Sequence, residues 1–133
     1  MIYFLDTNTC IYFLNGTSTS IRDKLLSTIP STVKIPSIVK AELIFGAYKS
    51  KRKEENLIKI RTFLEPFEVI SFSESMADIY AEIRSSCEKS GKPVGPNDLL
   101  IASTVLFYSG ILVTNNQSEF EMVSNLQVVN WFQ

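Results

Sequence analysis

The sequence contains no histidine, and this absence excludes several kinds of catalysis. Without an imidazole the chain cannot build a Ser-His-Asp or Cys-His nucleophile system or a histidine-ligated zinc site. It also cannot use histidine as the general acid and base of an RNA-cleaving centre. Any catalysis must therefore use carboxylates, hydroxyls, amides, lysine or a metal. With carboxylate and amide oxygens as ligands, that metal is expected to be Mg²⁺ or Mn²⁺.

Cysteines and long apolar runs are also scarce. Cys10 and Cys87 are the two cysteines, and both fall in predicted helices, where we interpret them as core residues of a protein from a reducing compartment. Apolar runs such as residues 105–108 are too short to cross a bilayer. The N-terminus lacks the basic region and small-residue cleavage site of a signal peptide. We therefore expect a cytoplasmic protein with no membrane segment.

The net charge is only −1, but the charges are unevenly distributed. Residues 31–62 carry eight Lys or Arg and three Glu, whereas residues 63–88 carry six acids and one Arg. The basic stretch is densest at Lys49, Lys51, Arg52 and Lys53. These cations are suited to phosphate contacts, although the end of a solvated helix would show the same pattern.

Strands and helices alternate along the whole chain. Strands are predicted over residues 2–5, 33–35, 68–72, 111–113 and 126–129. Helices are predicted over 7–14, 21–29, 37–50, 54–64, 73–91 and 96–109. This alternation predicts an α/β protein of three layers, with a mainly parallel central sheet of about four to five strands flanked by helices. We find no repeat or linker and expect a single domain over residues 1–133.

The first strand carries the first candidate functional residue. The apolar run 2–5 is typical of a central strand buried on both faces, and it stops at Asp6. Open α/β sheets build their sites at the carboxyl ends of such strands. Thr7 and Asn8 then open a helix. The sequence therefore places a carboxylate where a site is expected.

A second acid, Glu42, lies inside the predicted helix 37–50. That helix is apolar nearly all round, so we expect most of its faces to be covered, with Ser37 as its N-cap. A buried carboxylate is costly unless it is paired or metal-bound, and no basic residue lies at i±3 or i±4. A salt bridge to a distant cation remains the alternative. Gly46, in the middle of the helix, suggests close approach by another backbone.

Two further acids near the end of the chain also lie close to the ends of predicted strands or helices. Pro96 suits the first helical position, which places Asp98 in the first turn of an almost wholly apolar helix. The strand 111–113 ends in Thr114, Asn115 and Asn116, which repeats the pattern after the first strand, and Glu119 follows. An acid in a first helical turn is commonplace, so Asp98 alone would say little.

Together, Asp6, Glu42, Asp98 and Glu119 suggest a site for one or two divalent cations. Four converging carboxylates would repel one another, and their pKa values would rise without a cation. A bound metal would lower the pKa of a water and neutralise charge on a phosphate. If the substrate is RNA, the activated water would attack the phosphorus, and nothing need activate the ribose 2′-OH. The products would then be a 5′-phosphate and a 3′-hydroxyl. Supporting hydroxyls and amides would come from Thr7, Asn8, Thr114 and Asn116, although turn and cap chemistry explains each one equally well.

Four sequence blocks occur in order along the chain: LDTNTCIYFL, VKAELIFGA, VGPNDLLIAS and LVTNNQSEF. In this combination the chain resembles PIN-domain ribonucleases, specifically VapC-type toxins of toxin–antitoxin systems. By this resemblance Asp6 and Asp98 match the principal metal ligands, and Glu42 matches the third acid. Many relatives place Asp at the fourth position, where this chain has Glu119. The longer side chain suggests a contact with the metal through water.

The resemblance also implies an activity and partners. It implies a PIN fold, endoribonuclease activity that depends on Mg²⁺ or Mn²⁺, a homodimer, and inhibition by a cognate VapB-type antitoxin. Relatives with the VGPxD and VTNN blocks include ones resembling cleavers of initiator tRNA in the anticodon loop, which favours tRNA as the substrate. The large apolar residues Phe13, Phe45, Tyr48 and Phe63 would suit a groove for an antitoxin helix, or an ordinary core.

Two alternatives stay open at this point. Asp6 at a strand end would also suit the nucleophile of a haloacid-dehalogenase-like phosphatase or phosphotransferase. Such enzymes have a second acid where Asn8 stands and a Thr where Cys10 stands, and the GDxxxD-type block they carry later is missing. The other alternative is a non-catalytic interaction module with a decayed site, which the presence of all four acids disfavours.

Overall fold

The computed structural model describes residues 1–92 and 94–132, and within them five strands form one sheet. The strands are β1 (Tyr3–Leu5), β2 (Val33–Pro36), β3 (Glu68–Ile70), β4 (Ile111–Val113) and β5 (Gln127–Val129). Their order across the sheet is β3-β2-β1-β4-β5. Every neighbouring pair is parallel, which confirms the predicted sheet.

Helices connect the parallel strands and flank the sheet. They are α1 (Thr7–Asn15), α2 (Thr19–Leu26), α3 (Ser37–Tyr48), α4 (Lys53–Leu64), α5 (Glu74–Lys89), α6 (Pro96–Phe107) and α7 (Gln117–Phe120). A 3₁₀ turn, Pro30–Thr32, precedes β2. The predicted span of 1–133 includes Pro93 and Gln133, which lie outside the described residues.

The core lies on both sides of the central strands. Phe4 and Leu5 of β1 and Leu112 and Val113 of β4 are fully buried, because helices cover both faces of a parallel sheet. Residues 101–105 of α6 are all buried, which explains why that helix is almost wholly apolar. The aromatic ring of Trp131 packs against Tyr3, with the ring centroids 5.2 Å apart.

The strand order creates a topological switch point beside β1. From β1 the chain passes to β2 on one side of the sheet, and after β3 it returns to β4 on the other side. Leu5 pairs with Val113, and the Asp6 N–H donates to the carbonyl of Val113 at 3.2 Å. The carboxyl ends of β1 and β4 are therefore adjacent, as predicted, and a crevice at such a point is where α/β proteins bind ligands.

The start of α2 and the cap of α3 differ from the prediction. Helix α2 begins at Thr19 rather than at residue 21, because the Ser18 side chain caps it by accepting from the Ile21 N–H at 3.1 Å. Ser37 is not an N-cap, because Pro36 occupies that position. The Ser37 hydroxyl instead accepts from the Phe72 N–H at 3.3 Å. It therefore links the start of α3 to the chain beyond β3.

Helix α3 is covered on most of its faces, as its sequence predicts, but it leaves two aromatic rings in solvent. Phe45 and Tyr48 are 63% and 56% exposed. The prediction for Gly46 is wrong, because no atom lies within 4 Å of the position that a Cβ would occupy. Phe13 and Phe63 do belong to the core, where their rings lie 5.3 Å apart.

The remaining predictions about the core and the membrane can be read from burial. Cys10 and Cys87 are both buried free thiols, in α1 and α5, as predicted. Within the described ranges, none of the helices has the length and apolar character needed to cross a bilayer.

We predict that Gly110→Ala lowers the free energy of unfolding by about 2 kcal/mol, a typical cost of overpacking. A Cβ at this position would lie 2.7 Å from Cε1 of Phe4, and that ring is fully buried and cannot move aside. Urea denaturation measures the change. Gly46→Ala is the matched control and should instead gain about 1 kcal/mol, because its site is open and helical. Equal stabilities for the two variants would contradict the packing described.

Candidate active site

Asp6 occupies the first position beyond β1 and is only 6% exposed. Its side chain caps α1, with Oδ1 accepting from the Thr9 N–H at 2.8 Å. Burial raises the pKa of this carboxyl, and hydrogen bonding with Thr114 and Thr9 opposes the rise only in part. The residue is therefore held in a fixed position, partly desolvated, at the switch point of the sheet.

Asp98 lies in the first turn of α6 and faces the other three acids. Its pKa is raised from 3.8 to about 7, first by burial, then by its hydrogen bond with Glu119 and the negative charges of Glu119, Asp6 and Glu42. The helix dipole favours an anion at this position, but burial and like charges outweigh it. The structure thus brings all four predicted acids into one electrostatic neighbourhood.

Glu42 is half-buried rather than buried as predicted. The Thr7 hydroxyl donates to its Oε1, and the side-chain amide of Asn97 donates to its Oε2 at 3.1 Å. Sequence reasoning did not assign Asn97 a role. The signal available for it was its place beside Asp98, in the first turn of a helix that points at the site.

The alternative explanation of Glu42, a salt bridge to a distant cation, is wrong. The ion pairs of the described residues join Arg22 to Asp23, Lys34 to Glu68, Arg52 to Glu55 and Arg84 to Glu88. None of them includes one of the four site acids. The repulsion among these carboxylates is therefore not offset by a lysine or arginine of the described chain.

Glu119 lies in α7 and is held by the turn that follows β4. The Asn116 side-chain amide donates to its Oε2, and the Asn116 N–H donates to the Thr114 hydroxyl at 3.0 Å. Three of the four predicted supporting residues, Thr7, Thr114 and Asn116, thus bond to the site acids. The fourth, Asn8, is exposed, and its side chain takes part in none of the hydrogen bonds found among the described residues.

The chemistry of these side chains fits a hard divalent cation. Carboxylate and amide oxygens are the ligands that Mg²⁺ and Mn²⁺ prefer, and burial together with three neighbouring acids raises the pKa of Asp98. Within residues 1–92 and 94–132, however, no three potential ligands already stand close enough to hold one ion. Glu42 and Glu119 are turned toward amide and hydroxyl donors. Rotation of these two long side chains would be needed to complete the ligand set.

Comparison with known proteins identifies the family of the chain. The model of the PIN domain family matches residues 3–125. Ribonuclease VapC2 of Rickettsia felis is 45% identical to the chain over 132 residues, with 98% of each covered. The tRNA(fMet)-specific endonuclease VapC of Shigella flexneri is 35% identical over 129 residues, with 97% of each covered.

Solved structures extend the similarity to the fold. The crystal structure of VapBC2 from Rickettsia felis bound to a DNA fragment from their promoter matches with a TM-score of 0.92 at 44% identity. The match covers 98% of this chain and 99% of that chain. With acids at the ends of β1 and of the turn after β4, and with similarity along nearly its whole length, the chain belongs to the VapC ribonucleases of the PIN-domain family.

Proposed function

We propose that this protein is a metal-dependent endoribonuclease toxin that hydrolyses RNA phosphodiester bonds as a single domain. The observation that carries the proposal is the convergence of four carboxylates, those of Asp6, Glu42, Asp98 and Glu119, beside the carboxyl ends of β1 and β4. Burial and the three neighbouring acids together raise the pKa of Asp98 to about 7. Such an arrangement costs free energy in the absence of a cation. A site of this kind is explained by a function that needs the cation.

Nucleases of this family are generally dependent on a divalent metal. Here Asp6, Asp98 and Glu42 would hold Mg²⁺ or Mn²⁺. Glu119 would contact the ion through water. When bound, the ion lowers the pKa of a water and neutralises charge on the phosphate. RNA hydrolysis at this site would leave a 5′-phosphate and a 3′-hydroxyl, because an activated water would attack the phosphorus and the ribose 2′-OH need not be activated.

The neighbouring polar residues orient the acids. Thr7 and Asn97 together fix both oxygens of Glu42, and Asn116 fixes Glu119. The Thr9 N–H holds Oδ1 of Asp6. The Thr9 contact holds Asp6 in place at the end of β1, whereas Glu42 and Glu119 would rotate from their donors when they converge on a cation.

We propose tRNA as the substrate, with the anticodon loop of initiator tRNA as the cleavage site. A relative that shares 35% of its residues with this chain is named a tRNA(fMet)-specific endonuclease. The VGPND and VTNN blocks carry the resemblance to cleavers of initiator tRNA, and they lie at the start of α6 and the end of β4. Both blocks therefore border the acid site.

The proposed partner is a VapB-type antitoxin that neutralises the toxin. A solved structure 44% identical to this chain is that of VapBC2 from Rickettsia felis, so a relative of this chain forms such an assembly. We also propose that the protein works in the cytoplasm as a homodimer, the arrangement that the family resemblance implies.

The two alternative functions have less support. A phosphatase nucleophile needs access for in-line attack, whereas Asp6 is 6% exposed and its Oδ1 caps a helix. A non-catalytic module with a decayed site would have no reason to keep four acids with supporting donors. Titration with Mn²⁺ distinguishes a decayed site from the nuclease. A working site binds the ion, and the Asp6→Asn and Asp98→Asn variants should not bind it.

We predict that Asp6→Asn and Asp98→Asn each reduce RNA cleavage by about a thousandfold, equivalent to about 4 kcal/mol of lost transition-state stabilisation. Removal of one negative charge weakens the hold on the cation that offsets charge on the phosphate. The measurement is cleavage of tRNA by the purified toxin with added Mg²⁺ or Mn²⁺, followed on a denaturing gel.

The matched control is Asp78→Asn, because Asp78 is an exposed acid of α5 outside the site. It should cleave tRNA like the wild type. Full cleavage by wild-type protein in EDTA, or by the Asp98 variant, would contradict the metal-dependent mechanism.

We predict that the metal-free protein loses stability as the pH rises from about 4 to about 7. The folded state binds the Asp98 proton more tightly than the unfolded state does, because the pKa is about 7 when folded and 3.8 ordinarily. The stability that this proton contributes is thus complete below about pH 4 and lost above pH 7.

Asp98→Asn should flatten this dependence and raise the free energy of unfolding near pH 8 by about 1 kcal/mol, a reduced figure because solvent screens a half-exposed group. Urea denaturation in EDTA between pH 4 and pH 8 measures it, with Asp78→Asn as the control. Identical pH profiles for wild type and Asp98→Asn would argue against the clustering of the four acids.

A further inference from the structure

An open groove runs along α3 away from the acid site. Glu42, Phe45, Gly46 and Lys49 follow the spacing i, i+3, i+4 and i+7, so they share one face of the helix. These residues line the groove together with Thr7 and Asn97, which hold Glu42 at its near end. From Glu42 to Gly46 the helix rises by about 6 Å. The groove therefore continues directly from the site of proposed hydrolysis.

Two exposed aromatic rings are paired with cations, one at the far end of the groove and one just beyond it along the chain. Phe45 is 63% exposed, and Nζ of Lys49 lies 5.1 Å from the centre of its ring. Tyr48 is 56% exposed, and Nζ of Lys53 lies 4.1 Å from the centre of its ring. We call these four residues the aromatic–basic strip. Large exposed rings that are contiguous on one surface indicate a binding surface.

We propose that the groove and the aromatic–basic strip bind an unpaired stretch of RNA next to the scissile phosphate. Bases would stack on Phe45 and Tyr48, and phosphates would pair with Lys49 and Lys53. This inference rests on the proposed nuclease function and specifies the form of RNA that the site accepts. Aromatic platforms combined with cations are the means by which proteins bind single-stranded nucleic acid.

The chemistry of the strip favours RNA over other occupants. A base pair within a duplex hides its faces in the stack, so rings of this kind can stack only on unpaired bases. A protein helix seated on Phe45 and Tyr48 would desolvate the two ammonium groups beside the rings, which is costly for charged groups without anionic partners. Phosphates supply those partners along the whole length of the strand.

Gly46 explains how the groove stays open. Glycine in the middle of a helix costs about 1 kcal/mol relative to alanine, and no neighbouring backbone requires it here, because the space that a Cβ would fill has no atom within 4 Å. A side chain at this position would project into the groove. The absence of that side chain leaves room for a nucleotide between Glu42 and Phe45.

The test measures the anisotropy of a fluorescein-labelled oligouridine of about 12 nucleotides, a length within the usual site size, in EDTA so that no cleavage occurs. Wild-type protein should bind this RNA more tightly than a duplex of the same length. Phe45→Ala and Tyr48→Ala should each weaken binding about tenfold, the effect expected for one stacked base.

Gly46→Leu should also weaken binding about tenfold while raising the melting temperature, because leucine favours helices and its Cβ would have no atom within 4 Å. That combination separates blockage of the groove from misfolding. The double variant Lys49→Gln/Lys53→Gln should reduce the slope of log Kd against log salt by about 1.4, or 0.7 for each lost phosphate contact with a single strand.

The controls are an exposed ring and an exposed cation elsewhere. Phe107→Ala removes a 44% exposed ring at the end of α6 opposite Asp98, and Lys24→Gln removes a cation from α2. Both should bind RNA like wild type. The proposal is overturned if the strip variants bind normally, or if duplex is preferred. The proposal is also overturned if the strip variants lose binding of a VapB-type antitoxin while their RNA binding is unchanged. The strip would then belong to a protein interface.

Failure of this inference is distinguishable from failure of the proposed function. If wild type cleaves tRNA with added metal, Asp98→Asn does not, and the strip variants bind and cleave normally, only the strip is refuted. If no divalent metal supports cleavage but the strip variants still lose binding of the oligouridine, the nuclease proposal fails and the RNA-binding surface stands.

Discussion

Repulsion among carboxylates at the switch point of a parallel sheet is the constraint on which the rest of this structure depends. The pairing of β1 with β4 places Asp6 and the turn after β4 side by side, and α6 adds Asp98 from above. Burial strengthens the repulsion, because water no longer screens the charges. Burial of the hydrophobic core stabilises the fold against this repulsion, and the proposed cation would reduce the repulsion itself.

The residues around the acids fix the orientation of the carboxylates without neutralising their charge. Hydroxyls and amides, rather than lysines or arginines, hold Glu42 and Glu119. Neutral donors fix the orientation of a carboxylate and leave its charge available to a cation, whereas an arginine would compete with the ion. The nearest dense positive charge lies along α3 and beyond, where it accompanies exposed rings instead of the acids.

The sequence predicts the sheet and the convergence of the acids, because an apolar run followed at once by a polar residue marks the carboxyl end of a buried parallel strand. Asp6 and Thr114 could be placed in this way. The partners of Glu42 could not, since Thr7 and Asn97 reach it from elements 35 and 55 residues distant along the chain. The prediction for Gly46 failed for a similar reason: whether a helical glycine faces a neighbour or empty space depends on packing that no local pattern encodes.

The contact between Trp131 and Tyr3 has a practical consequence. The chain has one tryptophan, it is 6% exposed, and its partner ring opens the strand that leads to Asp6. Emission from this indole therefore comes from a single location, just beyond β5 and in contact with the central strand through Tyr3. The molecule carries its own optical reporter of whether that strand is in place, without a dye or an added label.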